Sequence, residues 1–486
     1  MTEYTGFDTL PIAGTWRAGS YGQNADDVNP YSDDVLTSIP LSDANDVDEA
    51  FRAAAEAQKS WASTLPTERA EVFFRAAHVM DARKDEIVNW LVREAGGIRP
   101  RAEWEWLAVR AVMLEAASYP TRSSGRILPA ALIDGKENRV YRQPLGVVTV
   151  ISPWNFPMQL SNRSVAPALA LGNAVVLKPA SDTPVTGGLL LAKILEEAGL
   201  PDGLLSVVIG KSSEIGDAVT QNPITRLVSF TGSTPVGKGI AESSPLTKMS
   251  LELGGNGPLV IVEDADLDAA VDAAVFGSYF HQGQVCMATN RIVAVDSVHD
   301  DVVDRLTERV RGLTVGDPSD NATQIGPIIN DSQVDSILDK IERAQADGAE
   351  LRVGGGRSGP AQRVIAPHLL LGTNQVATAA EEVFGPVATV IRARDEDDAV
   401  AIANDTEYGL SSAVFSRDID RAVRVAGRID AGMSHVNDTT INDEPNTAFG
   451  GEKSSGMGRF GGEWAIEEFT TDHWISVQHT RRQYAI

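Results

Sequence analysis

The order of hydrophobic and polar positions divides the chain into a helical first part and two later parts in which strands alternate with helices. In the first part, apolar residues recur at three- and four-residue spacing, which is typical of amphipathic helices. This spacing predicts helices over residues 46–61, 67–91 and 102–117.

From Gly146 onward, short continuous apolar runs replace the helical spacing. Such runs are typical of parallel strands that are covered on both faces. They predict strands over residues 147–151, 174–177, 205–209 and 227–230, separated by helices over residues 185–198, 213–220 and 235–242. This alternation predicts a parallel, doubly wound sheet whose ligands bind at the carboxyl ends of its strands.

A second alternating set begins near Gly255, and β-arms are predicted before and after the two sets. The second set has a predicted strand over residues 258–262 and predicted helices over residues 266–280, 301–311 and 332–347. Turn formers and charges fill residues 119–138, and the alternating residues 139–142 then predict an exposed β-arm suited to subunit contacts. Residues 465–486 are interpreted as an extended polar arm. The fold class is therefore α/β.

Composition limits the possible functions. With 43% apolar residues among 486, the chain can bury a large core and is expected to form two or three domains. Its net charge of −25 predicts no nucleic-acid partner and no anionic membrane surface. No export signal, no apolar run of the ~18 residues that a membrane span needs and no histidine pair at metal-binding spacing is found. We therefore expect a cytoplasmic protein without a metal site.

Cys286 is the only cysteine. It has no partner for an intrachain disulfide or for a cysteine-based metal cluster. Two interpretations stay open, a small hydrophobic residue of the core or a thiolate nucleophile. Gly283 favours the second, because a glycine at this distance lets the main chain come close to the sulfur.

Three polar side chains lie at or near the ends of predicted strands. Asn155, between two prolines, is either a donor to a developing oxyanion or the cap of the next helix. Lys178 either contacts ribose or phosphate oxygens or is solvated. Glu252, in an apolar predicted strand that ends in glycines, is either a general base with a raised pKa or a salt-bridged structural residue.

Two further segments have features of a nucleotide site. The turn from Gly232 to Gly237 joins a strand to a helix, where main-chain N–H groups can meet a pyrophosphate, although its spacing is a weak signal. Glu382 and Phe384 either offer a carboxylate and a flat ring to a nucleotide or form a helix end and turn. Residues 354–359 match G-x-G-x-x-G, but no helical pattern follows them, so we interpret them as a flexible turn.

Taken together, these segments resemble the aldehyde dehydrogenase superfamily over nearly the whole chain, with the sole cysteine at the position of the nucleophile. The resemblance implies oxidation of an aldehyde to a carboxylate with NAD or NADP by a homodimer or homotetramer. It also implies a Rossmann-like doubly wound cofactor domain over residues 1–122 and 145–254, a second α/β catalytic domain over residues 255–454, and a small β oligomerisation arm over residues 123–144 and 455–486.

The resemblance assigns roles to single residues. Cys286 would be the nucleophile, Asn155 would hold the oxyanion together with the Cys286 N–H, and Glu252 would activate the hydrolytic water. The residues expected at the cofactor are Ile151, Ser152, Pro153, Trp154, Lys178, Ser181, Gly216, Phe230, Gly232, Ser233, Val236, Leu253, Gly254, Glu382 and Phe384.

Ser181 narrows the expectation for the cofactor. Members that strongly prefer NAD often have a glutamate at this position, which grips the adenosine ribose. Because Ser181 carries no charge, it would not repel a 2′-phosphate, and Lys178 is close enough in sequence to attract one. We therefore expect NAD with tolerance of NADP.

Residues 135–142, 164–188 and 442–445 are similar to bacterial vanillin and benzaldehyde dehydrogenases, which implies an aromatic aldehyde substrate. The pocket is expected to be formed by Phe156, Leu160, Arg163, Val285, Met287 and Phe449. Arg163 would contact a ring hydroxyl or a carboxylate, or would be fixed in a structural ion pair. If it binds a carboxylate, an aliphatic semialdehyde such as succinate semialdehyde is the alternative substrate. Glu252 argues against a CoA-acylating enzyme, and the intact Cys286, Glu252 and Asn155 argue against an inactive relative.

Overall fold

The computed structural model describes residues 2–244 and 246–484. Met1, Pro245, Ala485 and Ile486, which belong to the predicted cofactor domain and arm, lie outside the described residues. The helices are α1 (Ala44–Ser63), α2 (Pro66–Ala82), α3 (Lys84–Ala95), α4 (Arg99–Arg122), α5 (Pro157–Ala170), α6 (Leu190–Glu197), α7 (Ser212–Thr220), α8 (Thr234–Ser243), α9 (Leu267–Tyr279), α10 (Asp296–Arg311), α11 (Asp331–Ala346), α12 (Ala377–Ala380), α13 (Glu396–Asn404), α14 (Ile419–Ala426) and α15 (Gly462–Glu468).

The strands are β1 (Leu10–Ile12), β2 (Thr15–Arg17), β3 (Asn24–Val28), β4 (Val35–Pro40), β5 (Arg126–Pro129), β6 (Lys136–Pro144), β7 (Val147–Ile151), β8 (Ala174–Lys178), β9 (Leu205–Val207), β10 (Thr225–Thr231), β11 (Lys248–Glu252), β12 (Gly257–Ile261), β13 (Thr289–Val295), β14 (Glu350–Val353), β15 (Arg357–Ser358), β16 (Val364–Ile365), β17 (His368–Gly372), β18 (Val387–Ala393), β19 (Tyr408–Gly409), β20 (Ser411–Phe415), β21 (Met433–Val436), β22 (Glu452–Lys453), β23 (Gly456–Met457) and β24 (Thr470–Gln478). A π-helical turn, Val185–Leu189, precedes α6, and a 3-10 turn, Phe280–Gly283, follows α9.

The first large sheet has six strands in the order β23-β11-β10-β7-β8-β9, and β7 to β11 run parallel. Their apolar runs are buried on both faces, as the sequence predicted. Ile151 pairs with both Lys178 and Phe230, and Thr231 pairs with Glu252. The carboxyl ends of β7, β8, β10 and β11 therefore lie along one edge of the sheet, where the doubly wound fold binds ligands.

The edge strand β23 comes from the C-terminal part of the chain and runs antiparallel to β11, with Gly456 opposite Glu252. Gly456 has φ +141°, and a Cβ there would lie 1.9 Å from the carbonyl oxygen of Leu251. Only glycine allows this close pairing. Residues 456–457 were expected in the arm, yet they form the edge strand of the first sheet. The domain boundaries given by the resemblance stay a prediction.

The second large sheet has seven strands in the order β14-β17-β18-β13-β12-β20-β21 and is parallel except for β14. This sheet and its helices form a hydrophobic core separate from that of the first sheet. The two alternating patterns in the sequence therefore correspond to two parallel sheets. Residues 354–359 contain β15, which forms a hairpin with β16 rather than leading into a helix.

A three-stranded antiparallel sheet in the order β24-β6-β5 forms the arm. Residues 139–142 lie in β6, as expected. The expectation of a fully extended segment over residues 465–486 is wrong at its start, because α15 continues to Glu468 before β24 begins. The turn-rich segment expected from residue 119 also begins late, because α4 continues through Pro120 to Arg122.

The single helix predicted over residues 67–91 is two helices, α2 and α3, separated at Arg83. The Arg83 side chain bonds to Glu86 in α3 at 2.8 Å and to Glu197 at the end of α6 at 2.9 Å. Helical periodicity cannot reveal this break, because it is stabilised by tertiary contacts at a residue that is neither glycine nor proline. Among the described residues, none of the helices has both the length and the apolar content that a membrane crossing requires.

Candidate active site

A cavity of about 290 Å³ opens at the carboxyl edge of the first sheet. It brings together Cys286, Asn155 and many of the residues predicted for the cofactor. The predicted residues in its wall are Pro153, Trp154, Asn155, Leu160, Gly232, Ser233, Leu253, Gly254, Cys286, Glu382 and Phe384. Segments more than 200 residues apart in sequence thus form one site.

Other predicted cofactor residues are outside this cavity wall: Ile151, Ser152, Lys178, Ser181, Gly216, Phe230 and Val236. Lys178 is buried at the end of β8, and its Nζ lies 3.3 Å from the Oγ of Ser212, so it is not a solvated lysine. Burial lowers its pKa. Ser181 is exposed, and Val236 is 52% exposed on α8. Their roles stay predictions.

The turn before Cys286 has an unusual backbone conformation. His281 and Gln282 have φ values of +52° and +58°, which non-glycine residues rarely adopt. The side-chain amide of Gln282 donates to the carbonyl oxygens of Gly96 at 3.1 Å and Pro327 at 2.9 Å, and thereby holds the turn. This hydrogen bonding stabilises the strained approach to the cysteine.

Two glycines explain how Cys286 reaches its place. Gly283 has a φ of +69°, and a Cβ there would lie 2.0 Å from the carbonyl oxygen of Gly385. This glycine therefore allows a close contact with Gly385. The sequence had instead predicted that it brings the main chain close to the sulfur of Cys286. A Cβ on Gly255 would lie 2.1 Å from the carbonyl oxygen of Cys286. The segment that carries Glu252 and the turn that carries Cys286 are therefore in direct contact.

The thiol of Cys286 is only partly exposed. Burial raises its pKa to about 12, and the negative charge of Glu252 contributes to this rise, whereas Arg163 opposes it. The thiol is therefore protonated near neutral pH, and formation of the nucleophilic thiolate requires a base.

Glu252 is buried at the end of β11. Burial raises its pKa to about 8, against the opposing charges of Arg163 and Arg459. Neither of its carboxylate oxygens has a hydrogen-bond partner within residues 2–244 and 246–484, so the salt-bridge alternative does not describe this residue. A buried carboxylate without partners costs folding free energy, and this environment is typical of a general base. Its neighbours Leu253 and Gly254, rather than Glu252 itself, line the cavity.

The side-chain amide of Asn155 donates to the carbonyl oxygen of Gln284 at 2.8 Å. Helix α5 begins at Pro157 with Phe156 in the capping position and no side-chain cap, so the capping alternative for Asn155 does not apply. A primary amide has two N–H donors. With one directed at Gln284, the second is available to an oxyanion beside Cys286.

The cavity also has the features that a dinucleotide needs. Ser233 precedes α8 without capping it, which leaves the first N–H groups of that helix for a phosphate. Glu382 accepts a hydrogen bond from the Gly255 N–H at 2.9 Å, and burial raises its pKa to about 7. The rings of Trp154 and Phe384 meet edge to face with centroids 5.4 Å apart. These residues fit a nucleotide that presents phosphates, ribose hydroxyls and a flat ring.

Helix α11 supplies three wall residues that the sequence did not reveal, Gln333, Ser336 and Lys340. Their spacing of three and four places them on one helix face, and Lys340 Nζ lies 3.2 Å from the Oγ of Ser336. Burial lowers the pKa of Lys340. The only signal in the sequence was a polar helix face, which is more often directed at solvent.

Arg163 lies on α5, and its side chain forms an ion pair with Asp443. Of the two interpretations of Arg163, the structure shows the one in which it is fixed in an ion pair. Gln159 donates to the same carboxylate at 3.1 Å, and the guanidinium lies 3.8 Å from the ring centroid of Phe449. A second, very narrow cavity beside this pair is lined by Arg163, Asp443, Phe449 and Phe460 among others.

Three of the predicted pocket residues, Phe156, Val285 and Met287, line neither cavity. Val285 and Met287 are buried. The ring of Phe156 packs edge to face on Trp104, with centroids 5.5 Å apart, and lies 4.3 Å from the guanidinium of Arg101. Contacts with α4 turn this ring away from the cavity, and the sequence spacing could not show that.

Within the described part of the chain, no group of three or more histidine, cysteine, aspartate or glutamate side chains is placed to hold a metal ion. The groups that the site brings together are the Cys286 thiol, the buried Glu252 carboxylate and the Asn155 amide.

Comparison with known proteins points to one family. The family model described as "Aldehyde dehydrogenase family" matches residues 16–475. The chain is 48% identical to a vanillin dehydrogenase of Corynebacterium glutamicum, over 96% of this chain and 97% of that one. It is 46% identical to the benzaldehyde dehydrogenase YfmT of Bacillus subtilis over the full length of both. The crystal structure of an NAD-dependent benzaldehyde dehydrogenase from Corynebacterium glutamicum superimposes with a TM-score of 0.91 at 45% identity, covering 99% of this chain and 98% of that one.

Proposed function

The chain belongs to the aldehyde dehydrogenase family, and on this basis we propose that it oxidises aromatic aldehydes of the vanillin and benzaldehyde type to carboxylic acids with NAD. The observation that carries the proposal is that Cys286 and Asn155 share a cavity with Glu382 and Phe384, while the charge of Glu252 acts on the sulfur. The names of the similar enzymes support the aromatic substrate class.

In the proposed reaction, the Cys286 thiol first gives its proton to solvent water or hydroxide, and the resulting thiolate attacks the aldehyde carbon and forms a thiohemiacetal. The Asn155 amide and the main-chain N–H of Cys286 donate to its oxyanion. A bound nicotinamide supplies the acceptor for the hydride that leaves this carbon. Glu252 then takes a proton from the water that attacks the resulting Cys286 thioester, and the acid is released.

Two alternatives are less well supported. An aliphatic semialdehyde would need a free cation for its distal carboxylate, whereas Arg163 is paired with Asp443. An inactive relative would have no use for the partnerless carboxylate of Glu252, since that carboxylate destabilises the fold.

Acceptance of NADP is part of the proposal. Ser181 is exposed and uncharged, so it presents no carboxylate to a 2′-phosphate. Lys178 lies three residues earlier, at the end of β8, where it is buried and offers a positive charge.

Homo-oligomerisation through the arm is also proposed. The arm and its connecting loop expose large apolar side chains, of which Leu132 is 96%, Ile127 73% and Trp474 63% exposed. Exposed apolar residues clustered in one region are typical of subunit contacts. Light scattering coupled to size exclusion should give a dimer or tetramer, and Trp474→Ser with Ile127→Ser should shift the mass towards the monomer.

A cytoplasmic location is proposed because a reducing compartment keeps the nucleophilic thiol free.

A panel of benzaldehyde, vanillin and succinate semialdehyde, each with NAD and NADP and followed by the absorbance of the reduced cofactor, tests the function. We expect the two aromatic aldehydes to give the highest kcat/KM without added CoA. Cys286→Ala should abolish turnover and retain NAD binding in titrations of protein fluorescence. No turnover of any aldehyde by the wild type, or full turnover by Cys286→Ala, would reject the proposal.

A further inference from the structure

We propose that the ion pair of Arg163 and Asp443 makes the site select uncharged aldehydes and reject aldehydes that carry a carboxylate. This inference rests on the proposed function and deepens it, because it assigns a cause to the choice of substrate class.

The position of Arg163 suits a role at the substrate. Leu160, one helical turn earlier on α5, lines the cavity that contains Cys286, and Arg163 lies on the same face of that helix. The charge of Arg163 acts on both Glu252 and Cys286. A guanidinium at this place would attract an anionic substrate towards the nucleophile if its charge were free.

The charge of Arg163 is not free. The Asp443 carboxylate contacts its guanidinium, and both side chains are only 7% exposed. Gln159 holds the same carboxylate oxygen at 3.1 Å from the preceding turn of α5. Phe449 covers one face of the guanidinium, and Phe460 lies further out at 5.9 Å. Asp443 therefore already occupies the position in which a substrate carboxylate would bind.

A carboxylate-bearing aldehyde would have to displace Asp443 from Arg163. Displacement would leave a buried aspartate without its cation, which is strongly unfavourable. It would also bring a second anion close to Glu252, which the charge of Asp443 already affects. An uncharged aldehyde incurs neither cost, so the pair discriminates by charge rather than by size.

The matched substrates for a test are benzaldehyde and 4-carboxybenzaldehyde, which differ only in the anionic group. The measured quantity is the ratio of their kcat/KM values, with the anionic substrate in the numerator. Asp443→Asn keeps the shape of the side chain and frees the charge of Arg163, so it should raise this ratio by about 10-fold or more. The double variant Asp443→Asn with Arg163→Gln removes both charges, and its ratio should fall below that of Asp443→Asn alone.

Two further variants serve as controls. Asp81→Asn breaks the partly exposed pair of Asp81 with Arg110 and should leave the ratio unchanged. Arg163→Gln leaves Asp443 without its cation and should lower the ratio below the wild-type value, which decides the question if Asp443→Asn does not fold. An unchanged ratio in a folded Asp443→Asn, or an increased ratio in Arg163→Gln, would overturn the inference. If the wild type does not oxidise benzaldehyde at all, the proposed function is wrong. Failure of the proposed function can therefore be distinguished from failure of the inference about the ion pair.

Discussion

Arg101 donates a hydrogen bond to the main-chain carbonyl oxygen of Asn155 from a fully buried position on α4. The same guanidinium pairs with Glu105 at 2.5 Å, and Glu105 accepts hydrogen bonds from the N–H groups of Met158 at 2.9 Å and Gln159 at 3.0 Å. The buried pair thereby fixes both the Asn155 turn and the start of α5. The amide proposed to hold the oxyanion is positioned by a helix that does not line the cavity.

Arg101→Met should therefore lower stability and activity together. It leaves Glu105 as a buried, unpaired charge, so the free energy of unfolding should fall by about 3–5 kcal/mol, and kcat should fall because Asn155 loses its support. Urea unfolding and steady-state rates measure the two effects. Arg110→Met, which breaks the partly exposed pair with Asp81, should cost no more than about 1 kcal/mol. Equal effects of the two variants would contradict the role of the buried pair.

Glu252→Gln should stop the reaction after the hydride has left. Without a carboxylate to activate water, kcat should fall by about 10²–10⁴-fold. The Cys286 thioester should then accumulate and be visible as added mass in protein quenched during turnover. A variant that loses activity without any mass on Cys286 would show that Glu252 acts before the thioester forms.

The pKa of Glu252 predicts how its substitution changes stability with pH. In the unfolded chain this carboxyl has its ordinary pKa of 4.5, and in the folded protein about 8. At a pH between these two pKa values, the Glu252 carboxyl is protonated in the folded state and ionised in the unfolded state. The contribution of Glu252 to stability therefore falls as the pH rises. Glu252→Gln should remove that fall and be more stable than the wild type by ~1 kcal/mol or more at pH 8.5, with little difference at pH 4.5.

Thermal unfolding of both proteins across this pH range gives the measurement. For a chain of 486 residues, a gain of ~1 kcal/mol corresponds to a rise of about 1 °C in Tm. Substitution of the exposed Glu308 on α10 by glutamine controls for the loss of one negative charge and should show no such trend. A Glu252→Gln gain that is the same at pH 4.5 and pH 8.5 would mean that titration of this carboxyl is not its cause.

Ser181→Glu should separate the two cofactors. A carboxylate at this exposed position would repel a 2′-phosphate, so kcat/KM for NADP should fall by about 10-fold or more while that for NAD is kept. Ser181→Gln adds similar bulk without charge and should change both values alike. If the wild type does not use NADP at all, the argument from the missing carboxylate is wrong.

Local pattern located buried strands such as β7, β8 and β12, but it did not single out β13 and β20, which are equally buried. The run 147–151 predicted the bounds of β7, in which the first four residues are buried and only Thr149 is polar. Helix boundaries were less predictable, since the separation of α2 from α3 depends on the contact of Arg83 with Glu197, 114 residues away. The fold class follows from local pattern, but such breaks depend on tertiary contacts.

In the candidate site, too, some features could be predicted from local sequence and others depend on tertiary contacts. Asn155, Glu252 and Cys286 stand in unusual local sequence, and each can be singled out from the order of residues alone. The direction of the Phe156 ring and the pairing of Arg163 with Asp443 depend on residues from other elements, in the second case 280 positions away. Lys340 of α11 was missed because a polar helix face that turns towards a cavity has the same spacing as one that turns towards water.

The strand β23 has a consequence for how the protein is made. The Ser455 hydroxyl bonds to the Gly254 carbonyl at 2.7 Å across 201 residues of chain. During synthesis, the strand that carries Glu252 emerges from the ribosome long before the neighbour that covers its outer edge. The outer edge of β11 therefore stays unpaired until residues 455–457 have been synthesised, and the first sheet gains its last strand only near the end of translation.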